Sequence, residues 1–215
     1  MGIVESVISR LIASRVSRFV EIMIESKFFS NLPLTAYRLD DQNKLYKEVI
    51  EEITKDPKPP SEVVFIHHSG QVIQYEICNL LKSGINVELY QQSPGIDILS
   101  QSDIRNAIEE VPRAIRRQEQ NTNFKGKLTI RRLHTPVSLR AFFVEDKLLI
   151  LSWYNYYTNN SRELRIVGSE NPGILVRKGS RKFMELREMI RETMNSHRPQ
   201  SNDGVQLSDR IIIYE

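Results

Sequence analysis

The stretch from position 138 to position 155 holds the residue types of a phosphate-binding site. Ser138 precedes Arg140 by two residues, and Glu145 follows after four more. Asn155 closes a Ser-Trp-Tyr-Asn run. A guanidinium donates paired hydrogen bonds to phosphate oxygens, whereas a serine hydroxyl attacks phosphorus poorly unless a base removes its proton. Arg140 could therefore hold a phosphate group, whereas Ser138 is poorly suited to cleaving its bonds.

The spacing also resembles the signature of the phospholipase D superfamily, which is His-x-Lys-x-x-x-x-Asp and then, a few residues on, Gly-Ser-x-Asn. The likeness covers about residues 61–195. Along the chain Ser138 takes the place of the histidine, Arg140 of the lysine, Glu145 of the aspartate and Ser152-Trp153 of Gly-Ser, while Asn155 is identical.

The resemblance implies an α/β sandwich whose motif lies on a late strand and meets a second motif across a dimer axis. A single motif, as here, implies a homodimer. In the active superfamily one histidine attacks phosphorus and the other protonates the leaving oxygen, with no metal. Ser138 supplies neither role, so the resemblance implies a degenerate motif and a pseudoenzyme. The phosphate-binding residues that it implies are Ser138, Arg140, Glu145 and Asn155.

Our leading interpretation is a non-catalytic binding, sensor or assembly module that recognises nucleic acid or another nucleotide-like phosphate. A second is a divergent, metal-independent nuclease or phosphodiesterase. Its catalytic candidates are His67 and His68, which follow the first predicted strand where α/β sheets bind ligands, and His134. The alternative for the His67-His68 pair is a strand end whose polar groups are satisfied by the backbone. A third interpretation is a structural, homo-oligomeric interaction protein.

No cofactor and no metal are expected. The four histidines and the single cysteine lack the spacing of metal ligands. A glycine-rich loop of the kind that cradles nucleotide phosphates is also missing from the sequence.

Basic residues are clustered although the formal net charge is only +3. Clusters of this kind bind nucleic acid, and the alternative is a solvated surface balanced by nearby glutamates. The predicted nucleic-acid-binding residues are Arg113, Arg116, Arg117, Lys125, Lys127, Arg131 and Arg132. The aromatic run from Trp153 to Tyr157 either stacks bases or fills a core and a subunit interface.

Hydrophobic periodicity predicts an α/β fold with a mixed, phospholipase D-like sheet sandwiched by helices and preceded by an N-terminal helical segment. Predicted helices cover 3–30, 40–55, 72–81, a span from 97 or 102 to about 120 that Pro112 kinks or divides, and 183–194. Predicted strands cover 63–66, 87–90, 128–132, 138–144, 147–153, 164–167, 174–176 and the chain end after 210.

Three regions are predicted: a helical segment over 1–58, the phospholipase D-like domain over 59–198, and a polar tail over 199–215 that ends in a strand. The lone Cys78, the lack of a long apolar run and the lack of a secretory signal predict a cytoplasmic protein. Gly2 fits the short, common N-myristoylation pattern. Membrane contact through the helix over 3–30 is disfavoured, because helices that lie on lipid have a more basic polar face.

Overall fold

The computed structural model describes residues 37–94, 102–135, 137–158, 164–167, 171–196, 204–208 and 210–214. The helices in these ranges are α1 (Gln42–Lys55), α2 (Gln74–Lys82), α3 (Ser102–Asn121) and α4 (Arg181–Ser196), with a 3-10 helix, Gln71–Ile73, before α2. The strands are β1 (Tyr37–Asp41), β2 (Glu62–His67), β3 (Asn86–Gln92), β4 (Leu128–Leu133), β5 (Leu139–Val144), β6 (Leu148–Trp153), β7 (Asn155–Thr158), β8 (Leu164–Val167), β9 (Pro172–Arg177), β10 (Val205–Ser208) and β11 (Ile211–Tyr214).

Nine of these strands form one mixed sheet in the order β1-β9-β6-β5-β2-β3-β4-β11-β10. Strands β2, β3, β4 and β11 are parallel, and the strands on both sides of them pair antiparallel. Helices α1, α2 and α3 bury their apolar residues in the core on one face, and α4 does so on the other. The predicted α/β class, with a mixed sheet between helices, is confirmed. Strands β7 and β8 form a separate ribbon.

Helix α1 belongs to this layered structure. The carboxylate of Asp41 caps its first turn by accepting the backbone N–H of Lys44 at 2.9 Å. Its apolar stripe, from Leu45 to Ile53, is buried in the same core as β2 and β5. The preceding strand β1 pairs with β9. The prediction of a separate helical segment up to residue 58 therefore does not describe residues 37–55, and the predicted helix over 3–30 lies outside the described residues.

Helix α3 continues through Pro112, so of the two predicted alternatives, a kink or a division, the division is wrong. Proline has no N–H and leaves the carbonyl four residues earlier, at Ile108, without its helical donor. The side chain of Gln91 on β3 takes that place, because its Nε2 donates to the Ile108 carbonyl at 3.1 Å. A sheet side chain thus compensates the helix for its proline.

The other predicted strands and helices agree with the described ones to within two residues at each end. The β5–β6 hairpin turns at Glu145-Asp146, where Asp146 has φ 57. The predicted C-terminal strand is β11, which extends the sheet of its own chain in parallel with β4. Strands β1, β7 and β10 have no counterpart in the sequence prediction. No described helix combines the length and the apolar character needed to cross a membrane.

Candidate functional site

Five polar side chains lie next to one another across the middle of the sheet, and we call them the polar row. On one side of the row, Arg140 of β5 is paired with Ser152 of β6. On the other side, His67 of β2 is paired with Gln91 of β3, and Gln91 is paired in turn with Arg132 of β4. His67 stands opposite Arg140, one step beyond the last paired residues of β2 and β5. Directly opposed residues project from the same face, so all five face the layer of α1, α2 and α3. All five are buried.

The polar row lies at the carboxyl ends of the parallel strands β2, β3 and β4. In open α/β sheets this edge is where ligands bind, since the loops that leave the strands gather there. Further toward the other end of the sheet the same face is apolar, with Phe65 and Phe142 packed at a ring distance of 4.7 Å. A buried polar row that follows an apolar core is a specific feature, because buried polar groups cost free energy unless they find partners.

His67 and Arg140 are in contact at the centre of the polar row. The Nη2 atom of Arg140 is 3.5 Å from Nε2 of His67, and the guanidinium lies over the ring of Tyr154 at 5.4 Å from its centroid. The hydroxyl oxygen of Tyr154 is 3.0 Å from Nδ1 of His67 and accepts the backbone N–H of His68 at 3.0 Å. The ring of Tyr46 on α1 is 6.2 Å from the His67 ring.

These contacts fix the protonation state of His67. A guanidinium only donates, so Nε2 of His67 must accept from Arg140. The ring proton is then on Nδ1, from where it is donated to the Tyr154 oxygen. Burial, the Arg140 charge and His68 together hold the pKa of His67 well below its ordinary value, so the imidazole stays neutral.

The two histidines and two tyrosines of this region are all held in their neutral forms. Burial lowers the pKa of His68 to about 4. Burial also raises the pKa of Tyr46 and of Tyr154, and the nearby Arg140 charge partly opposes both shifts. Removal from water penalises the charged form of each group, so Arg140 is the cation at the centre of this cluster.

The half of the polar row on β3 and β4 is connected to the rest of the fold by hydrogen bonds. Arg132 donates through Nη1 to Oε1 of Gln91 at 2.5 Å. The Nε2 atom of Gln91 donates to the carbonyl of Ser69, in the loop after β2, and to the carbonyl of Ile108 on α3. This half connects the sheet to a loop and a helix, so we assign it a structural role.

The half of the polar row on β5 and β6 contains groups that the described structure leaves uncommitted. Ser152 is 0% exposed, and its Oγ has no hydrogen-bond partner among the described residues. Gln42 at the start of α1 is also 0% exposed. Its Nε2 atom donates to the Tyr46 hydroxyl at 2.5 Å, and its Oε1 atom has no hydrogen-bond partner among the described residues. The candidate ligand site is therefore the corner formed by Arg140, Ser152 and Gln42, and not the end of the polar row that holds Gln91 and Arg132.

The structure brings some of the predicted phosphate-binding residues together and separates others. Ser138 is half-buried just before β5, and its carbonyl accepts the backbone N–H of Tyr154 at 2.9 Å. Arg140 is in the polar row. Asn155 begins β7, where it pairs with Val167. Its side chain lies outside the described residues.

Glu145 does not take part in this site. It is in the hairpin turn at the far end of β5, about 17 Å from Arg140 at the usual rise of a strand. Its carboxylate accepts from Arg187 at 3.0 Å and also from Arg191, both on α4. The predicted phosphate-binding role of Glu145 is therefore corrected to an ion pair between the hairpin and α4.

Of the three predicted catalytic candidates, two lie at the site and one lies away from it. His67 is in the polar row, and His68 packs its ring against Tyr154 at 5.7 Å. His134, in contrast, is exposed after β4. The ring nitrogens of His67 contact the side chains of Arg140 and Tyr154 and not the backbone. Nε2 of His68 has no hydrogen-bond partner within the described ranges. No three histidine, cysteine or acidic side chains of these ranges could hold a metal ion together.

The arginines of α3 are exposed, and two of them are paired with acids of the same helix. Arg113 lies 3.4 Å from Glu109, and Arg117 forms an ion pair with Glu110. Exposed pairs of this kind contribute little to stability and leave the guanidinium accessible. The nucleic-acid role of these two residues and of Arg116 stays a prediction.

The basic residues around β4 fall at different places. Lys125 and Lys127 are exposed before the strand, at the amino ends of the parallel strands and so at the opposite edge from the polar row. Arg131 is half-buried and pairs with Glu88. Arg132 is 3% exposed and donates to Gln91, so its predicted contact with nucleic acid at the surface is corrected to a structural role.

Sequence reasoning selected Arg140 and His67 separately but did not connect them. It missed Ser152, Gln42 and Gln91 as members of one cluster. The only sequence signal was a polar residue at an inward position in otherwise apolar strands, such as Arg140 before Ala-Phe-Phe-Val. That signal becomes useful once the strand register is known.

The fold is similar to solved structures at low sequence identity. For the archaeal chromatin protein TrmBL2, described for its mode of DNA binding, the identity is 8% and the TM-score 0.43 over 90% of this chain and 65% of that one. For Nuc, a phospholipase D family member from Salmonella typhimurium, the identity is 9% and the TM-score 0.42 over 76% of this chain and 96% of that one. For NucT from Helicobacter pylori, the identity is 9% and the TM-score 0.41 over 75% of this chain and 97% of that one.

No protein-family model matches the chain, and no curated protein does. The chain spans 65% of the length of TrmBL2. Phospholipase D family members are thus among the structures that this fold is similar to, at identities that transfer no activity.

Proposed function

We propose that this protein binds phosphate-containing ligands, nucleic acid or a nucleotide-like molecule, without cleaving them. The observation that carries the proposal is the position of Arg140, buried at the carboxyl ends of the parallel strands against a neutral imidazole. A guanidinium is the preferred side chain for phosphate, and its attraction for an anion is stronger in a buried environment than at the surface.

The site around Arg140 is closed in this structure, with the Tyr154 ring against the guanidinium. Arg140 is 1% exposed, so a ligand reaches it only when a covering group moves. Tyr154 is the first such group, because its ring lies against the guanidinium.

The surroundings of Ser138 and His67, the two candidate nucleophiles near Arg140 in the described part of the chain, support binding over catalysis. The Ser138 hydroxyl would need a base, and both ring nitrogens of His67 are engaged, one by Arg140 and one by Tyr154. His67 as nucleophile would have to give up the Arg140 contact, and as a general base it would be weak because its pKa lies well below neutral pH.

Phosphodiester hydrolysis through His67 is the second candidate function. The observation that favours it is the direct contact between an imidazole and an arginine at the same strand ends. An arginine beside an imidazole is the pair that would hold and attack a phosphoryl group. Release of p-nitrophenol from bis(p-nitrophenyl) phosphate, abolished by His67→Gln, would establish this candidate in place of the first.

Thermal unfolding with added ligand tests the binding proposal. A ligand that binds only the folded state at about 100 times its Kd adds about 2.7 kcal/mol of stability, which raises the Tm of a chain of this size by about 5–10 °C. We expect inorganic phosphate, AMP or an oligonucleotide to produce such a shift in the wild type. Arg140→Met should abolish it.

Arg132→Met is the matched control, because Arg132 is a buried arginine of the same polar row. This variant should keep the response to phosphate whatever its own stability. An equal response in the Arg140→Met and wild-type proteins, or no response in the wild type to any of these ligands, would overturn the proposal.

We also propose that the protein is a homodimer and that exposed basic residues such as Arg116, Lys125 and Lys127 make separate phosphate contacts, away from Arg140, when the ligand is nucleic acid. Contacts of that kind depend on salt, because each neutralised phosphate releases counterions. Sedimentation at low and high protein concentration tests the dimer. The salt dependence of oligonucleotide affinity, compared between the wild type and Lys125→Gln, tests the basic residues.

A further inference from the structure

We propose that the corner formed by Ser152, Gln42 and Arg140 recognises a terminal phosphoryl group, as in a phosphomonoester, rather than an internal phosphodiester. This inference rests on the phosphate-binding function proposed above and names the chemical class of its ligand.

Two buried polar groups in this corner are not used by the fold. The Oγ atom of Ser152 and one end of the Gln42 amide have no hydrogen-bond partner among the described residues. Both side chains are 0% exposed. A buried polar group without a partner destabilises the folded state, and an alanine or valine at position 152 would suit a strand better. Groups held at such a cost are expected where a ligand supplies the missing partner.

The structure also places these groups beside Arg140. Ser152 is paired with Arg140 in the register of β5 and β6. On its other side Ser152 adjoins Gly173 of β9, one step beyond the Leu151–Ile174 pair. A Cβ atom on Gly173 would lie 3.1 Å from Cα of Gln42. The missing side chain therefore lets the first turn of α1 approach the sheet directly next to Ser152.

The three side chains belong to three elements: Gln42 to α1, Arg140 to β5 and Ser152 to β6. A guanidinium and a hydroxyl both donate. If the Gln42 amide turns so that its oxygen accepts from the Tyr46 hydroxyl, its N–H groups become a third set of donors, and three sets of donors match the three terminal oxygens of a phosphomonoester. An internal diester has two such oxygens and continues as a chain on both sides, which an enclosed corner does not accommodate.

Calorimetric titration with three ligands tests the inference. The ligands are inorganic phosphate, AMP, and the dinucleoside monophosphate ApA, whose phosphate is an internal diester. We expect the wild type to bind phosphate and AMP, and to bind ApA at least about tenfold more weakly. Ser152→Ala should weaken AMP binding about tenfold while its Tm without ligand stays equal or rises.

Gln42→Glu provides a second variant, since it preserves shape and adds a charge that repels phosphate. It should weaken AMP binding by more than Ser152→Ala does. Ser180→Ala is the control, because Ser180 is a buried serine in the turn between β9 and α4, and its Oγ accepts the backbone N–H of Lys182. This control should bind AMP as the wild type does.

Different results would contradict terminal-phosphate recognition and phosphate binding itself. Equal affinity of the wild type for AMP and ApA, or unchanged AMP affinity in both the Ser152→Ala and Gln42→Glu variants, would overturn the terminal-phosphate inference. The binding function would survive in that case, provided that Arg140→Met still loses phosphate. Failure of all three ligands to bind the wild type would remove both.

Discussion

Lowering the pH from 7 to about 5.5 should weaken the folded state through His67 and His68. Both imidazoles are buried and neutral in the fold, His67 with a pKa well below the ordinary value and His68 with a pKa of about 4. In the unfolded chain each imidazole takes up a proton near pH 6.5. Below that pH the unfolded state binds more protons than the folded state, so the free energy of unfolding falls as the pH falls.

The size of the effect follows from the pKa values. Between pH 7 and 5.5 each histidine that stays neutral in the fold and protonates when unfolded removes about 1 kcal/mol of stability, and the pair removes about 2–3 kcal/mol. The loss is complete only when the pH passes below the folded pKa. Partly buried carboxyls with raised pKa values, Glu62 and Glu76, act in the opposite sense at lower pH.

Urea unfolding of the wild type, His67→Gln and His68→Phe at both pH values measures the effect. The carboxyl contributions cancel when the pH-dependent change in the free energy of unfolding is compared between a variant and the wild type. Each substitution should reduce the loss of stability between pH 7 and 5.5 by about 1 kcal/mol. His134→Gln is the control, because that exposed imidazole meets water in both states. Equal pH dependence in the wild type and in both buried-histidine variants would refute the account of the polar row as a neutral, desolvated cluster.

Three further predictions concern the packing around the site. Gly173→Ala should cost about 1–3 kcal/mol in urea unfolding, because its Cβ would lie 3.1 Å from the Gln42 backbone and force α1 away from the sheet; a neutral result would contradict the close approach. Pro112→Ala should stabilise the protein by much less than the usual ~3 kcal/mol of a helical proline, because the Ile108 carbonyl already has a donor; a gain near the full value in thermal unfolding would show otherwise. Glu145→Gln should leave phosphate affinity unchanged in calorimetry, and a loss of about tenfold would return this residue to the site.

The layered fold was predictable because its signals are local. Apolar residues at helical spacing identify α1 and α4, and short apolar runs identify β2 and β5. Strand β1 was missed since its sequence, Tyr-Arg-Leu-Asp-Asp, is polar, and its stability comes from pairing with β9. Such tertiary pairing overrides what a single strand suggests.

The candidate site was predictable only in part, for a physical reason. Arg140 was identified from its chemistry, yet Glu145 was grouped with it because the two are close in sequence. Five residues along a strand span about 17 Å, so a motif that continues along β5 leaves the site. The true neighbours of Arg140 are Ser152 and His67, which lie 12 and 73 residues away along the chain and next to it across the sheet. Register of this kind comes from the packed sheet as a whole.

A crystal structure of the protein grown with tungstate, an oxyanion of phosphate shape, tests the central claim most directly. The account predicts one strong tungstate peak within hydrogen-bonding distance of the Arg140 guanidinium, with the Ser152 hydroxyl turned toward it and the Tyr154 ring displaced. Tungstate found only against the exposed arginines of α3, with the Arg140 corner closed and unchanged, would contradict it.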